Sequence, residues 1–255
     1  MDLGLSGKKA LVTGATRGIG RAIAETLAAE GVDVAICARN QAEVAEATAA
    51  LAAHGVRASG RAVDVADAGA YVAWVASAAE ELGGLDIFVH NVSALASGED
   101  DETWRRLYEI DLMGGVRGFR AALPYLRRSS APSAVLISSI SASVSESDAG
   151  EHAYGALKAA MVSLGSQLGQ TYGAQGIRVN VVSPGSIYFP GGVWDRVKQN
   201  DPAKFDAVSA STPSGRMGRP EEVARAVAFL ASPAASWING VNLRVDGGQL
   251  SNVNF

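Results

Sequence analysis

Short apolar segments rich in β-branched residues alternate with helical patterns along the whole chain, and this alternation limits what the chain can fold into. Segments 8–14 (KKALVTG), 32–39 (VDVAICAR) and 85–91 (LDIFVHN) are typical of buried strands, and amphipathic stretches separate them. Such an order indicates βαβ units, whose crossovers place helices on both faces of a sheet. We therefore predict an α/β fold in which one domain, residues 1–255, forms a doubly wound parallel sheet of about seven strands.

Composition excludes several classes of function. The 255 residues are 48% apolar, which is enough for one large core, and the formal net charge of −4 comes with scattered basic residues. This predicts no nucleic-acid partner. No apolar run reaches the length of a membrane span, and the first residues lack the order of a signal peptide, so we expect a cytoplasmic protein with no membrane partner.

Metal and disulfide chemistry are not indicated. The single cysteine, Cys37, lies within an apolar strand, where a buried position is expected. The three histidines, His54, His90 and His152, lack the spacing and companions of metal ligands, so we predict no metal site.

A glycine-rich turn, TGATRGIG at 13–20, follows the first strand and begins a helix. Gly14 permits the tight turn, Gly18 allows backbone to approach a pyrophosphate, and Gly20 allows close packing of helix on strand. The helix N-terminus attracts the phosphates. This combination predicts a Rossmann fold that binds a dinucleotide, with contacts from Gly14, Thr16, Arg17, Gly18 and Ile19.

The end of the second strand indicates which dinucleotide is bound. An acidic residue there would accept the ribose hydroxyls of NAD, whereas this chain has Ala38 and Arg39. An arginine suits the 2′-phosphate of NADP, and Arg17 can supply a second guanidinium. We therefore predict NADP(H) as the cofactor, the alternative being that Arg39 is a solvated residue at a strand end.

Tyr154 and Lys158 lie four residues apart in a helical pattern, so their side chains project from the same face. An ammonium near a phenol favours the phenolate form, as general acid–base catalysis at a carbonyl oxygen requires. This pair predicts an oxidoreductase. Alone, the spacing is also compatible with an ordinary amphipathic helix.

Several motifs, in order, resemble those of the short-chain dehydrogenase/reductase family over nearly the whole chain. They are the glycine turn, Asp64-Val65, LDIFVHNVS at 85–93, ISSIS at 137–141, Tyr154 with Lys158, IRVNVVSPG at 177–185 and VDGG at 245–248. Within the family, the chain resembles 3-oxoacyl carrier-protein reductases and general carbonyl reductases most.

The resemblance implies a role for each matching residue. Tyr154 would be the acid–base, Lys158 would bind the nicotinamide ribose, and a serine at the end of the fifth strand would hold the carbonyl oxygen. The resemblance also implies cofactor contacts from a set spread along the chain: Asp64, Val65, Asn91, Pro184, Gly185 and Ile187.

The chain departs from the family pattern in three places, which involve four residues. Asp111 stands where an asparagine normally supports a water chain from the lysine, and it adds charge near Lys158. His90 and Ser93 replace an asparagine and a glycine, which we expect to adjust the loop after the fourth strand. Phe189 replaces a threonine that usually bonds the nicotinamide carboxamide.

The position of the catalytic serine is open between two residues. Alignment of the strand SAVLISS favours Ser139, whereas counting back from Tyr154 gives Ser141. A loop two residues longer than usual before Tyr154 would reconcile the two, and we favour Ser139.

A proline-containing segment at 184–218 shows no clear periodicity, and its part at about 186–218 is predicted to form a lid over the substrate. We expect an apolar pocket lined by Leu95, Tyr188, Phe189, Val193 and Trp194, the alternative for the aromatic residues being ordinary packing of the lid.

We therefore predict an NADP(H)-dependent ketone reductase or secondary-alcohol dehydrogenase. The alternative is a non-catalytic NADP-binding sensor or scaffold on the same fold. Helices predicted at 101–127 and 151–174 carry apolar residues and glycine on more than one face, and the family packs these helices between subunits, so we expect a homotetramer or homodimer.

Overall fold

The computed structural model describes residues 2–145 and 150–252. Within these residues the strands are β1 (Lys9–Thr13), β2 (Asp33–Ala38), β3 (Ala58–Ala62), β4 (Ile87–His90), β5 (Ser133–Ile137), β6 (Arg178–Pro184) and β7 (Asn242–Val245). All pairings are parallel, and the sheet order is β3-β2-β1-β4-β5-β6-β7. The predicted doubly wound parallel sheet is confirmed.

The helices of the described residues are α1 (Gly18–Ala29), α2 (Gln41–Ala52), α3 (Ala68–Glu81), α4 (Asp101–Leu107), α5 (Met113–Leu126), α6 (His152–Gly173), α7 (Val193–Asn200), α8 (Pro202–Ser211) and α9 (Pro220–Ala231). Short 3₁₀ turns lie at Ile140–Ser143 and Pro233–Ala235, and a π-helical turn lies at Tyr108–Leu112. As the C′ glycine pattern predicts, α1 is followed by Gly31 with a φ of 80°.

Two apolar layers hold the helices on the sheet. Along β1, Val12 faces a core that includes α1 and α9, whereas Leu11 faces the opposite core with α3 and α5. This division follows from the period of two in a strand, and burial of each large apolar side chain contributes about 1.5–3 kcal/mol. Cys37 is fully buried as predicted, and burial raises the pKa of its thiol to about 12.

The helix predicted at 101–127 is interrupted. At Met113 the backbone N–H bonds to the carbonyl of Tyr108, five residues earlier, and this wider turn separates α4 from α5. Single π-helical turns are frequently found at functional sites. Here the turn carries Asp111 into the interior, where its residue surface is 0% exposed.

The segment 184–218 contains two helices that the sequence pattern did not predict. α7 and α8 are 8 and 10 residues long and neither has a buried residue, so their few apolar residues do not repeat over enough turns to mark a helix. The start of α8 does carry a sequence signal, an aspartate at the cap position followed by a proline. Asp201 accepts the backbone N–H of Lys204, and Pro202 occupies the first turn of α8.

Part of the apolar and glycine content of α5 and α6 packs against the chain's own sheet. Gly118 allows α5 to approach Phe88, and Gly165 allows α6 to approach Val181, so these glycines serve packing on the chain's own sheet. One face of α6, with Ser163 and Gln167, is exposed. The homo-oligomer remains a prediction.

Two further findings concern membranes and metals. Within residues 2–145 and 150–252, none of the helices is long and apolar enough to cross a membrane. In the same residues, no group of three or more His, Cys, Asp or Glu side chains is arranged to hold a metal ion.

Candidate active site

The predicted site residues lie along the carboxyl edge of the sheet. The glycine turn follows β1, Asn91 follows β4, Ser138 and Ser139 follow β5, and Gly185 follows β6. Because β1, β4, β5 and β6 are neighbours, these segments lie side by side. The strand order reverses between β1 and β4, which is where open α/β sheets bind ligands.

The glycine turn has the backbone conformation that its glycines permit. Gly14 and Gly18 have φ values of 65° and 57°, in the left-handed region that favours glycine. At Gly20 a Cβ atom would lie 2.3 Å from the Gly14 carbonyl oxygen and from the Asn91 side-chain nitrogen. Asn91 fixes the turn, since its Nδ2 donates to the carbonyls of Thr13 and Gly14, both at 3.0 Å.

The N-terminus of α1 is suited to an anion. Arg17 occupies the cap position without a side-chain cap bond, and the first turn contains no acidic residue. By contrast, side-chain oxygens of Asn40, Asp67 and Asp100 cap α2, α3 and α4. Uncapped N–H groups and the helix dipole favour a phosphate, so the turn fits the pyrophosphate of a dinucleotide.

Arg17 and Arg39, predicted to contact a 2′-phosphate, both have exposed side chains. Nearby, the Thr16 hydroxyl donates to Glu43 Oε2 at 3.0 Å, which brings a carboxylate to the rim of this region. Glu43 lies in the first turn of α2, and no sequence motif marks it as a site residue. The exposed guanidiniums of Arg17 and Arg39 suit a bound phosphate, whereas the negative charge of Glu43 would repel it.

Asp64 and Val65 follow β3 at the same edge. The Asp64 carboxylate accepts the N–H of Ala66 at 3.0 Å and is otherwise exposed, and Val65 is buried beneath it. Val65 packs so closely on α5 that a Cβ at Gly114 would lie 2.7 Å from it. The Asp64 side chain therefore faces outward, while the buried Val65 side chain holds this turn against α5.

Tyr154 and Lys158 lie one turn apart on α6, and the Lys158 Nζ is 5.5 Å from the centre of the Tyr154 ring. The lysine side chain is 2% exposed. Its Nζ donates to the carbonyl of Ile137 at 3.1 Å, and Ser138 Oγ donates to the Lys158 carbonyl at 2.8 Å. The end of β5 thus fixes the position of the ammonium beside the phenol.

Asp111 is the counter-ion of Lys158. Its Oδ1 lies 3.1 Å from Nζ, and its side chain is 1% exposed. Burial alone would lower the pKa of the Lys158 ammonium, but the charges of Asp111 and Tyr154 and the hydrogen bond to Asp111 outweigh burial and hold that pKa above its usual value. The lysine is therefore a fixed cation at neutral pH.

Two donors from the loop after β4 complete the shell of the carboxylate. The Ser93 hydroxyl donates to Asp111 Oδ1 at 2.6 Å, and the backbone N–H of Ala94 donates to Oδ2 at 2.8 Å. The structure therefore brings two positions that depart from the family pattern, Ser93 and Asp111, into direct contact. The two residues are 18 positions apart in the chain, and no sequence motif links them.

His90, which departs from the family pattern together with Ser93, joins the same network. Its Nε2 lies 2.9 Å from the carbonyl oxygen of Asp111, which can only accept, so Nε2 carries the proton. Within the described residues, the buried Nδ1 has no hydrogen-bond partner. Burial, followed by the charge of Lys158, lowers the pKa of the imidazole to about 4, so His90 is neutral at pH 7.

Ser139 and Ser141 lie together at the start of the 3₁₀ turn after β5. Their hydroxyl oxygens are 3.1 Å apart, and the backbone N–H of Ser141 donates to Ser139 Oγ at 3.1 Å. This contact leaves the choice between them open. Part of the proposed longer loop, residues 146–149, lies outside the described residues.

Pro184, Gly185 and Ile187 lead from β6 into the lid. Gly185 donates its N–H to the carbonyl of Val245 at 3.0 Å, and a Cβ there would lie 2.8 Å from Asp246. Ile187 is 8% exposed and forms an isolated parallel bridge with Gly218. These contacts fix where the lid starts and returns.

The residues predicted to line the substrate pocket occupy different environments. The Tyr188 hydroxyl donates to Asp195 Oδ1 at 3.0 Å, a bond that raises the pKa of the phenol, and its ring packs edge-on against Phe205. Leu95 is 55% exposed and Val193 is 39% exposed, whereas Trp194 is half-buried. Tyr188 is thus held within the lid.

Phe189 contacts the glycine turn directly. A Cβ at Gly18 would lie 2.5 Å from the ring, and one at Gly192 would lie 2.9 Å from it. The ring therefore lies between the phosphate turn and the start of α7. It links the lid to the dinucleotide region, where the motif alone suggested a nicotinamide or substrate contact.

Comparisons with known proteins agree with this architecture. The family model described as enoyl-(acyl carrier protein) reductase matches residues 14–249. Among curated proteins, isoepoxydon dehydrogenase of Penicillium expansum is 38% identical over 251 residues, which cover 97% of this chain and 96% of that protein.

Solved structures of similar proteins include nucleotide complexes. A short-chain dehydrogenase from Burkholderia cenocepacia in complex with NADP has a TM-score of 0.89 and 34% identity, covering 96% of this chain and 99% of the other. L-sorbose reductase from Gluconobacter frateurii, complexed with NADPH and L-sorbose, has a TM-score of 0.90 and 33% identity, covering 99% and 100%. On this evidence and on the site geometry, the chain belongs to the short-chain dehydrogenase/reductase family.

Proposed function

We propose that the protein is an NADP(H)-dependent oxidoreductase that interconverts a ketone and a secondary alcohol. The observation that carries the proposal is the buried Lys158 ammonium, fixed by Ile137 and Asp111 and 5.5 Å from the centre of the Tyr154 ring. A phenol next to a fixed cation can give up its proton to a carbonyl oxygen and regain it from an alcohol.

The nicotinamide, when bound, supplies or accepts the hydride. In the direction of reduction, Tyr154 donates its phenolic proton to the carbonyl oxygen, and Lys158 stabilises the phenolate that remains. Ser139 donates a hydrogen bond to the same oxygen as charge develops there, a contribution of the kind made by an oxyanion donor. Ser141 orients Ser139 through the contact at 3.1 Å.

The preference for NADP(H) is supported by the exposed guanidiniums of Arg17 and Arg39 and by the uncapped start of α1. The backbone of Gly14 and Gly18 would lie against the pyrophosphate, and Asp64 and Val65 would lie near the adenine. Related structures with NADP or NADPH point in the same direction.

The substrate is proposed to be a small carbonyl or alcohol compound bound beneath the lid at about 186–218. Leu95, Val193 and Trp194 favour an apolar substrate. The Phe189 ring packs against the glycine turn, which supports a position of the lid over the site where cofactor and substrate would meet.

Assembly and location complete the proposal. A homotetramer or homodimer is supported by the aromatic side chains of Trp104 and Tyr108, which are 41% and 43% exposed one turn apart. A cytoplasmic location is supported by the single buried thiol of Cys37 in place of a disulfide framework.

The proposal is tested by mixing the purified protein with NADPH and a panel of apolar ketones and following absorbance of the reduced nucleotide. Consumption that depends on ketone and protein supports the enzyme. Tight NADPH binding, with no NADPH consumed in the presence of ketones and none formed from NADP⁺ and the corresponding alcohols, would instead support a non-catalytic sensor.

A further inference from the structure

We infer that Ser93 is a positioning residue that anchors the loop 92–98 to the Asp111–Lys158 ion pair. The inference rests on the proposed function, because the loop carries Leu95 on the proposed substrate side. It concerns a contact between two residues on different elements, 18 positions apart in the chain.

The directions of the hydrogen bonds follow from chemistry. A carboxylate only accepts, so the Ser93 proton points to Asp111 Oδ1, at 2.6 Å. The hydroxyl oxygen is then free to accept, and the backbone N–H of Leu95 lies 3.2 Å from it. One hydroxyl therefore joins the carboxylate to the backbone of the loop.

The backbone of the loop requires such an anchor. Leu95 has a φ of 46°, the one non-glycine residue with a positive φ among the described residues. A leucine in this conformation is strained and persists only where surrounding contacts hold it. The bonds from Leu95 to Ser93 and from Ala94 to Asp111 Oδ2 are those contacts.

The Asp111 carboxylate contacts both the loop, through Ser93, and the catalytic helix α6, through Lys158. Oδ1 accepts from Ser93 and from the Lys158 ammonium, which is also surrounded by Tyr154 on its own helix and His90 on β4. Without the Ser93 hydroxyl, Asp111 loses the shortest of the three contacts that hold its side chain, the others being those with Ala94 and Lys158. Its ion pair with Lys158 then weakens, and the ammonium loses its proton at a lower pH.

The test compares Ser93→Ala, Ser93→Thr and Ser97→Ala with the wild type. Ser97 is a matched control because its hydroxyl, in the same loop, lies 3.4 Å from the carbonyl of Gly150 and not near Asp111. Amide hydrogen exchange of Ala94 and Leu95, with no cofactor present, reports on the loop without turnover. Thermal melting checks that each variant is folded.

We expect Ser93→Ala to accelerate exchange at Ala94 and Leu95 about tenfold, which corresponds to one lost hydrogen bond of ordinary strength. In the same variant, the KM for ketone should rise about three- to tenfold with kcat nearly unchanged. The alkaline limb of the profile of kcat/KM against pH should move to lower pH. Ser93→Thr, which keeps a hydroxyl, should have the wild-type exchange rates, KM and alkaline limb. Ser97→Ala should change none of these three quantities.

Unchanged exchange in Ser93→Ala, or an alkaline limb that stays in place, would overturn the anchoring role, as would failure of Ser93→Thr to restore the wild-type values. A wild type without ketone reductase activity would defeat the proposed function. The hydrogen-exchange result would still decide whether Ser93 anchors the loop, so the two failures are distinguishable.

Discussion

The Oδ1 atom of Asp111 lies 3.1 Å from Nζ of Lys158, and both side chains are almost fully buried. At this distance the Asp111 carboxylate faces the lysine, so its role is not only to pack its own helix. A negative charge at this distance partly cancels the field of the ammonium at the Tyr154 phenol. The ion pair therefore bears directly on how the phenolate is stabilised.

The first prediction follows from this pair. Asp111→Asn keeps the size of the side chain and one acceptor oxygen for Lys158 and Ser93, replaces the acceptor of the Ala94 N–H by an amide NH₂, and removes the opposing charge, so Lys158 should stabilise the Tyr154 phenolate more strongly. We expect the acidic limb of the pH–rate profile for alcohol oxidation to lie at lower pH in the variant than in the wild type. Overlapping profiles from two equally well-folded proteins would show that the charge of Asp111 has no effect on the Tyr154 phenolate.

The second prediction concerns His90 and acid stability. Its folded-state pKa of about 4 lies below the unfolded value of 6.5, so below pH 6.5 the unfolded chain binds a proton that the folded chain does not. Stability should therefore fall by about 3 kcal/mol as the pH drops from 6.5 to 4.

His90→Asn keeps a donor for the Asp111 carbonyl and cannot become charged. Urea unfolding of the two proteins at pH 7 and pH 4.5 should show a smaller acid loss in the variant. Equal losses would mean that the imidazole is not held neutral in the interior.

The third prediction separates the two serines. Ser139→Ala removes the hydroxyl proposed to bond the carbonyl oxygen and should lower kcat about 10²–10³-fold, the loss typical of one oxyanion donor. Ser141→Ala removes only a neighbour of that hydroxyl and should have a mild effect. Steady-state rates with one ketone decide the matter, and the reverse ranking would assign the role to Ser141.

The fourth prediction concerns the cofactor. Arg39→Asp should weaken NADPH binding by about 1–3 kcal/mol, the value of a charge-assisted contact, and leave NADH binding intact or improved. Dissociation constants from fluorescence titration of both nucleotides give the comparison. Arg128→Asp makes the same charge change at the amino-terminal end of the sheet and should alter neither. A wild type that prefers NADH would contradict the assignment.

The sheet and the glycine turn were predictable because their signals are local. Strand periodicity and the spacing of Gly14, Gly18 and Gly20 determine a parallel sheet with a dinucleotide turn without knowledge of distant contacts. The lid helices were missed for the opposite reason. α7 and α8 are only 8 and 10 residues long and have no buried residue, so their apolar residues do not repeat over several turns as those of a core helix do.

The network around Lys158 could be predicted only in part. The sequence marked Asp111 and Ser93 as unusual, but their contact depends on a π-helical turn and on the loop after β4. No local pattern encodes a bond between these two elements. The contact of Phe189 with Gly18 is of the same kind, since it joins residues 171 positions apart through the fold of the lid.

Hydride transfer coupled to the proton of Tyr154 is the central claim, and deuterium transfer tests it most directly. Wild type, Tyr154→Phe and the control Tyr172→Phe would each be incubated with an apolar ketone and NADPH carrying deuterium at the transferring position of the nicotinamide. We predict deuterium at the carbinol carbon of the product with wild type and the control. The Tyr154→Phe variant should bind NADPH normally but form product at least 10²-fold more slowly. Alcohol without deuterium at that carbon, or full activity of Tyr154→Phe, would contradict the account.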